Sequence, residues 1–275
     1  MLWEKYDAII LDLDGVVYIG QHALPHAIES LQAVASHVKL AAATNNASRN
    51  SRTVSVHLQT LGLNIGEEDV VTSAQAGASL MFQHAAPDSR ILAVGGSGVE
   101  EALLEQGFHV LRATQDNEAN HIIAQEVEGV VQGHGTATSW WDLATASWAI
   151  ARGVTWVATN RDLTVPTPFG LGPGNGSLVS AVESVVGVSP LVAGKPEPAL
   201  FLETVERLGC HNALVIGDRL DTDIDGAIAA GLDSLLVLTG VHGRNDAAMR
   251  SADLRPTYIA SDLRCLMAPE PPAHS

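Results

Sequence analysis

The sequence predicts an α/β protein in which a doubly wound parallel sheet carries an inserted, smaller α/β domain. Short apolar segments of strand length recur along the chain, and helical stretches separate most of them. This spacing is interrupted between residues 84 and 185. The alternation of strand and helix indicates parallel pairing, and the interruption indicates a second domain.

Five continuous apolar runs are predicted to be strands that are buried on both faces. They cover residues 8–11, 38–43, 191–193, 213–216 and 234–238. Helices are predicted in the segments between them, and several end just before a glycine, which is a common helix terminator. The predicted helices cover residues 27–36, 51–61, 198–208 and 223–230.

The strands of the main sheet divide the chain into two domains. Residues 1–83 and 186–267 are predicted to form the main domain, and residues 84–185 the insert. The tail 268–275 is rich in proline and is predicted to be disordered. Within the insert, the predicted strands cover residues 90–94, 129–131 and 154–158, and the predicted helices cover residues 100–106 and 139–151.

Composition and charge limit the partners and the location. The chain has 275 residues, 46% of them hydrophobic, and a formal net charge of −16, which disfavours nucleic acid and anionic membranes because both would repel it. No apolar run reaches the roughly 18 residues of a membrane span, and residues 1–5 lack the basic start of a signal peptide, so we expect a cytoplasmic location. Cys210 and Cys265 form no C-x-x-C pair, which predicts neither a disulfide framework nor a thiolate metal site.

Two acidic residues, Asp12 and Asp14, follow the first predicted strand directly. The strand period of two puts both side chains on the same side at its carboxyl end, and Gly15 permits a sharp turn. Two acids so close repel one another, so either a cation binds between them or one keeps a proton. If one carboxyl is ionised and the other keeps its proton, the first could act as a nucleophile and the second as an acid. The structural alternative is an ordinary Asp-Gly turn.

A second acidic cluster follows the predicted strand at 213–216. Parallel pairing could bring Asp218 to Asp12, and with a backbone carbonyl and waters they would form the all-oxygen octahedron that Mg²⁺ prefers. Asp223 could orient these ligands from the start of the next helix. The alternative for Asp221 and Asp225 is helix capping and a solvated acidic turn.

Two further strand ends carry groups suited to a phosphoryl anion. Thr44, Asn45 and Asn46 precede a predicted helix, and their hydroxyl and amides could hold phosphoryl oxygens, with an ordinary helix cap as the alternative. Lys195 follows the predicted strand at 191–193 and could balance developing negative charge. It is one of only three lysines beside twelve arginines, which weakens the alternative of a chance surface lysine.

Together these four strand ends resemble the four motifs of the haloacid dehalogenase (HAD) superfamily. In order they are Asp12-Leu13-Asp14-Gly15-Val16-Val17-Tyr18, Thr44-Asn45-Asn46, Lys195-Pro196 and Gly217-Asp218-Arg219-Leu220-Asp221-Thr222-Asp223-Ile224. The resemblance covers residues 7–260. The insertion is similar to that of a capped subfamily with 4-nitrophenyl phosphatase-like, nucleotide, pyridoxal phosphate and glycerol phosphate phosphatases, on the segments Thr159-Asn160-Arg161-Asp162 and Pro173-Gly174-Asn175-Gly176-Ser177.

The resemblance implies a Rossmann-like core with a cap domain and a Mg²⁺-dependent phosphatase. Asp12 would attack phosphorus to form an aspartyl-phosphate, and Asp14 would protonate the leaving oxygen and then activate water. Mg²⁺ would bridge Asp12, the Asp14 carbonyl and Asp218, with Asp223 orienting these ligands. The implied substrate-binding residues are Thr44, Asn45, Asn46 and Lys195.

The substrate stays open within the class of small phosphorylated metabolites, because residues 160–176 and not the motifs would meet the leaving group. Glycerol 3-phosphate, phosphoglycolate and nucleoside monophosphates are candidates, with 4-nitrophenyl phosphate as an in vitro substrate. One alternative is sugar phosphotransfer in the same fold. The other is a phospho-accepting signalling module, and the chain length and Asp14 disfavour this second alternative. Trp141 and Trp148 share a helix face that is expected to be mainly domain core, with part of it a candidate homodimer surface.

Overall fold

The computed structural model describes residues 1–167 and 169–268, so residues 269–275 of the predicted tail lie outside the described residues. The strands are β1 (Ala8–Leu11), β2 (Tyr18–Ile19), β3 (His22–Ala23), β4 (Lys39–Thr44), β5 (Val70–Thr72), β6 (Arg90–Val94), β7 (His109–Leu111), β8 (Gly129–Gln132), β9 (Thr155–Ala158), β10 (Thr164–Thr167), β11 (Gly170–Pro173), β12 (Leu191–Val192), β13 (Ala213–Gly217), β14 (Asp233–Val237) and β15 (Tyr258–Ala260). The α-helices are α1 (Ala27–Val34), α2 (Ser51–Thr60), α3 (Ser73–Phe82), α4 (Ser97–Glu105), α5 (Asn117–Glu126), α6 (Trp140–Ile150), α7 (Asn175–Val186), α8 (Ala199–Leu208), α9 (Asp225–Ala229) and α10 (Arg244–Ala248).

Contacts within the chain divide it into two compact units. The first unit comprises Met1–Thr44, Ser51–Val71 and the chain from Lys195 onward, and the second comprises Asn45–Asn50 and Thr72–Gly194. The second unit is therefore larger than the predicted insert at both ends. It also takes in a six-residue segment that lies between β4 and α2.

The first unit is built on a six-stranded sheet with the strand order β15-β14-β13-β1-β4-β5. β1 lies near the centre and pairs in parallel with both β13 and β4, while β14 pairs in parallel with β13 and β15. The α/β fold with a parallel sheet is thus confirmed. In a parallel sheet the carboxyl ends of all strands lie at one edge, which is where such sheets bind ligands.

Helices cover both faces of this sheet, as the alternation of buried side chains on β14 illustrates. Leu235 and Val237 pack into one apolar cluster with Leu58 of α2, whereas Leu236 packs into another with Ala247 of α10. Successive strand residues point to opposite faces, so a strand with every residue buried needs cover on both sides. The unbroken apolar runs of the sequence reflect this double burial.

The second unit has its own five-stranded sheet, with the strand order β12-β9-β8-β6-β7. All its strand pairs are parallel. Its core includes Trp156 of β9 and Val130 of β8, packed with Ala146 of α6 and Val179 of α7. A separate antiparallel hairpin, β10–β11, precedes α7.

One predicted strand was assigned to the wrong sheet. Residues 191–193 were expected in the main sheet, but β12 pairs with β9 at the edge of the second sheet. Leu191 is 42% exposed, as an edge position allows. An apolar run this short does not specify its partner strand, because the pairing is decided by long-range packing.

Two other expectations concern membranes and cysteines. No helix within the described part of the chain is long and apolar enough to cross a membrane. Cys210 and Cys265 are both free thiols.

Truncation of Leu214 on β13 tests the importance of the first unit's core. Leu214 is fully buried, so Leu214→Ala should lower the free energy of unfolding by about 2–5 kcal/mol through lost burial and a residual cavity. The matched control, Leu202→Ala, changes a 49% exposed leucine of α8 and should alter the free energy of unfolding by no more than about 0.5 kcal/mol. Urea unfolding followed by tryptophan fluorescence measures both, and equal losses would contradict the assigned core.

Candidate active site

Three neighbouring strand ends of the first unit bring the predicted motif residues together. β13, β1 and β4 are adjacent in the sheet, and they lead into Asp218, into Asp12 and to Thr44. The Asp12 N–H donates a hydrogen bond to the Ile216 carbonyl at 2.9 Å, which extends the β1–β13 pairing up to the carboxylate. The sheet therefore fixes the position of the Asp12 backbone.

Lys195 is the buried cation of this site. Its side chain is 2% exposed, and Nζ donates to Asp12 Oδ1 at 2.5 Å, to Asp223 Oδ1 at 2.7 Å and to the Ala43 carbonyl at 3.2 Å. The three contacts use the three donors of an ammonium group. Lys195 thus joins the ends of β1 and β4 to the turn that follows β13.

Burial and charge shift the ionisation of these groups. Burial would lower the pKa of the Lys195 ammonium, but the carboxylates of Asp12 and Asp223 outweigh burial, so the pKa is raised and the lysine stays charged. Burial raises the pKa of the Asp12 carboxyl, while Lys195 opposes this shift. Burial and the neighbouring Asp223 also raise the pKa of Asp218. A further cation would favour the ionised form of both carboxyls.

Three carboxylates are close enough to bind one metal ion. Asp12, Asp218 and Asp223 each offer an oxygen, and these oxygens lie within 4.8 Å of one another. Asp218 Oδ1 is buried without a hydrogen-bond partner. Three carboxylates and one ammonium leave two formal negative charges, so the all-oxygen donor set fits a divalent cation such as Mg²⁺.

Asp223 lies on a π-helical turn, Leu220–Ile224, rather than at the start of a regular α-helix. Its Oδ2 accepts a hydrogen bond from the Arg219 N–H at 3.0 Å, and its Oδ1 faces Lys195. A Cβ on Gly217 would lie 2.1 Å from the Asp223 Cβ, so glycine is required for this close approach. Asp223 was predicted to orient the ligands, and the structure places it within the carboxylate cluster itself.

Asp14 lies on the sharp turn that follows Asp12. The Gly15 N–H donates to the Tyr18 carbonyl at 2.9 Å, and Gly15 has a φ of +86°, which favours glycine. The Asp14 side chain is exposed, whereas that of Asp12 is only 14% exposed. Asp14 is thus accessible to solvent, and its predicted role as acid and base stays a prediction.

The predicted phosphoryl-binding residues fall into both units. Thr44 is buried at the end of β4 in the first unit. Asn45 belongs to the second unit, where its carbonyl accepts hydrogen bonds from Ser73 Oγ at 2.7 Å and from Asn160 Nδ2 at 2.8 Å. Asn46 Oδ1 accepts one from the Ser48 N–H at 2.9 Å. The substrate-binding roles of these residues stay predictions.

The sequence reasoning missed two contributions to this site. The Ala43 carbonyl is an acceptor for Lys195, and the Val241 N–H donates to Asp218 Oδ2 at 2.7 Å. Val241 follows β14, whose carboxyl end lies at the same edge of the sheet as those of β1 and β13. The rule that located Asp12 and Asp218 could therefore have located this loop.

Removal of Lys195 tests the buried ion pairs. Lys195→Met would leave the partly buried Asp12 carboxylate and the buried Asp223 carboxylate without their counterion, and it should lower the free energy of unfolding by about 3–5 kcal/mol in metal-free buffer. The control, Lys5→Met, removes an exposed lysine and should cost no more than about 1 kcal/mol. Urea unfolding in the presence of a chelator measures both, and equal losses would refute the structural role of Lys195.

Comparison with known proteins identifies the family. A haloacid dehalogenase-like hydrolase model matches residues 9–109, and a HAD-hydrolase-like model matches residues 192–266. A D-glycerol 3-phosphate phosphatase of Mycobacterium tuberculosis is 46% identical over 96% of this chain and 71% of its own. An acid sugar phosphatase of Staphylococcus aureus is 32% identical over 94% of this chain and 96% of its own.

A solved structure agrees with these matches. The crystal structure of glycerol phosphate phosphatase from Mycobacterium tuberculosis in complex with magnesium aligns with a TM-score of 0.87 and 45% identity, over 97% of this chain and 78% of that chain. The predicted resemblance is thereby confirmed. The chain belongs to the haloacid dehalogenase-like hydrolases and, within them, to the phosphatases.

Proposed function

We propose that this chain is a Mg²⁺-dependent phosphatase of small phosphomonoesters that works through an aspartyl-phosphate on Asp12. The observation that carries this proposal is the buried Lys195 between Asp12 and Asp223, beside an Asp218 oxygen without a partner. Such a site holds a carboxylate nucleophile in place and provides ligands for a divalent cation. Bound Mg²⁺ would supply a Lewis acid that balances the negative charge of the phosphoryl group.

In the first step an Asp12 oxygen forms a bond to phosphorus as the bond from phosphorus to the ester oxygen breaks. Asp14 gives its proton to the departing alcohol oxygen. Lys195 keeps the Asp12 carboxylate oriented and offsets part of the charge at the reacting centre, since Nζ contacts Asp12 Oδ1 directly. Asp223 holds Lys195 from its other side.

In the second step water attacks phosphorus, and the bond between phosphorus and the Asp12 oxygen breaks. Asp14, now ionised, takes a proton from this water, so Asp12 is regenerated as a carboxylate and inorganic phosphate leaves. Exposure of the Asp14 side chain supports this role, because a base that activates water must be reached by water.

Glycerol 3-phosphate is the substrate that we propose first. The support is the 46% identity to a D-glycerol 3-phosphate phosphatase over nearly the whole of this chain. A panel of glycerol 3-phosphate, phosphoglycolate, sugar phosphates and nucleoside monophosphates, ranked by kcat/KM, tests this choice. A higher kcat/KM for any other member would overturn the substrate but not the phosphatase mechanism.

Substitution of the nucleophile tests the mechanism. Asp12→Asn should lower Mg²⁺-dependent phosphate release from glycerol 3-phosphate by at least about 1,000-fold, because an amide cannot form the covalent intermediate. The control, Asp253→Asn, changes an exposed aspartate outside the carboxylate cluster and should leave kcat within about twofold of the wild type. Unchanged activity of Asp12→Asn would refute the mechanism.

Substitution of the proposed acid and base separates hydrolysis from signalling. Asp14→Asn should accept a phosphoryl group from a substrate with a good leaving group and then release it slowly, so intact mass spectrometry should detect one added phosphoryl group. The wild type should show no such adduct at steady state. An aspartyl-phosphate that persists for minutes on the wild type would favour the signalling module, and capture of the phosphoryl group by an added sugar would favour phosphotransfer.

The partner predictions await their own tests. The homodimer through the α6 face stays a prediction, which sedimentation at micromolar protein concentration can test. The cytoplasmic location and the exclusion of nucleic-acid and membrane partners also stay predictions.

A further inference from the structure

The loop that follows β14 contacts two of the motif segments through hydrogen bonds. Thr239 Oγ1 donates to the Gly15 carbonyl at 2.6 Å. The Val241 N–H donates to Asp218 Oδ2 at 2.7 Å, and the His242 N–H donates to the Asp218 carbonyl at 3.1 Å. One short segment thus binds the turn after Asp12 and both the side-chain carboxylate and the backbone carbonyl of Asp218.

The loop also contacts the turn that carries Asp223. His242 Nδ1 accepts a hydrogen bond from the Leu220 N–H at 3.1 Å, and Leu220 begins the π-helical turn. The segment Thr239–His242, which we name the positioning loop, therefore connects to the segments that carry all three clustered carboxylates.

Glycine at position 240 is required for space. A Cβ there would lie 1.9 Å from Asp218 Oδ2 and 2.5 Å from its Cγ, closer than real Cβ atoms approach. Gly240 does not have a left-handed φ, so the obstacle to an alanine is space, and the three atoms nearest to its Cβ would all belong to Asp218. A Cβ on Gly15 would also lie 2.6 Å from Asp218 Oδ2. The Asp218 carboxylate is thus held between two glycines.

This arrangement distinguishes the two oxygens of Asp218. Oδ2 is used by the Val241 N–H and enclosed by Gly15 and Gly240, whereas Oδ1 is buried without a partner. A carboxylate held in this way has one oxygen left for a cation. Hydrogen bonds to the other oxygen of a metal ligand orient it, and their loss typically lowers metal affinity about 10- to 100-fold.

We propose that the positioning loop fixes the Asp218 carboxylate for Mg²⁺, and that Gly240 and Thr239 are positioning residues for the phosphatase reaction. The inference rests on the proposed function, since it assigns the loop a role at the same site. It extends that function to the end of β14, a strand end that the four motifs do not include.

A purely structural role of the loop makes a different prediction. If Thr239–His242 only joined β14 to α10, substitutions there would change the stability of the fold and leave the Mg²⁺ affinity of folded protein unaltered. Mg²⁺ binding to folded protein, measured without substrate, therefore separates the two roles.

The first experiment compares two glycine-to-alanine substitutions in the same stretch of chain. Gly240→Ala should raise the Kd for Mg²⁺ at least about tenfold in isothermal titration calorimetry, because the new methyl group displaces Asp218. Gly243→Ala is the control, since a Cβ there approaches no atom closer than 3.5 Å, at Asp246 Oδ2, and its Kd should stay within about twofold of the wild type. Circular dichroism tests whether both variants are folded.

The second experiment tests the hydrogen bond from Thr239 and does not depend on the folding of Gly240→Ala. Thr239→Val keeps the side-chain shape but leaves the Gly15 carbonyl without its donor, and kcat should fall about 3- to 10-fold at saturating Mg²⁺. KM for glycerol 3-phosphate should stay the same, because the loop acts on the motif segments and not on the substrate. Thr239→Ser restores the hydroxyl and should recover kcat to within about twofold of the wild type.

Either of two results would overturn the inference: a Mg²⁺ Kd for folded Gly240→Ala equal to that of the wild type, or a Thr239→Ser variant as slow as Thr239→Val. Failure of the proposed function gives a different pattern. A wild type that binds Mg²⁺ but releases no phosphate from any phosphomonoester would refute the function, while the Kd comparison would still decide the role of the loop.

Discussion

The site depends on one buried ammonium group, that of Lys195, placed between two carboxylates. A lysine with a 2% exposed side chain would be strongly destabilised if it lacked counterions, and the carboxylates of Asp12 and Asp223 would repel one another without it. Each group therefore requires the others. The contact with the Ala43 carbonyl adds the end of β4, so three segments that are far apart in sequence meet at one nitrogen atom.

The balance of charge at Lys195 explains how an acidic chain can act on an anionic substrate. The chain carries a formal net charge of −16, which repels phosphate esters at long range. Within the site, one ammonium and one divalent cation would neutralise the three clustered carboxylates. A phosphoryl group would then meet a local field that differs from that of the protein surface.

Much of this site could be predicted from the sequence because the ends of the central strands can be recognised in it. An apolar run followed by glycine and acids marks Asp12 and Asp218, and the parallel sheet brings them together. The contact between Lys195 and Asp12 joins residues 183 positions apart, and its geometry follows only from the complete sheet. The position of Asp223 within the cluster depends on a π-helical turn, which has no clear sequence pattern.

Three errors in the predicted strands have a common physical cause. β12 was assigned to the wrong sheet, and β5 and β15, three residues each, were not predicted. Short edge strands carry little periodicity, so their partners are set by packing and not by local preference. Central strands such as β1 and β13 are buried on both faces and leave a clear apolar run.

The segment Asn45–Asn50 has a consequence for recombination between relatives. Hydrogen bonds join it to the rest of the second unit: the Asn45 carbonyl accepts from Ser73 and Asn160, and Asn50 Nδ2 donates to Glu101 at 2.6 Å. A chimera that exchanges only residues 72–194 would keep the original segment against foreign partners. An exchange that preserves these hydrogen bonds has to transfer both stretches of the gene. Because residues 51–71 between them belong to the first unit, each stretch needs its own pair of crossovers.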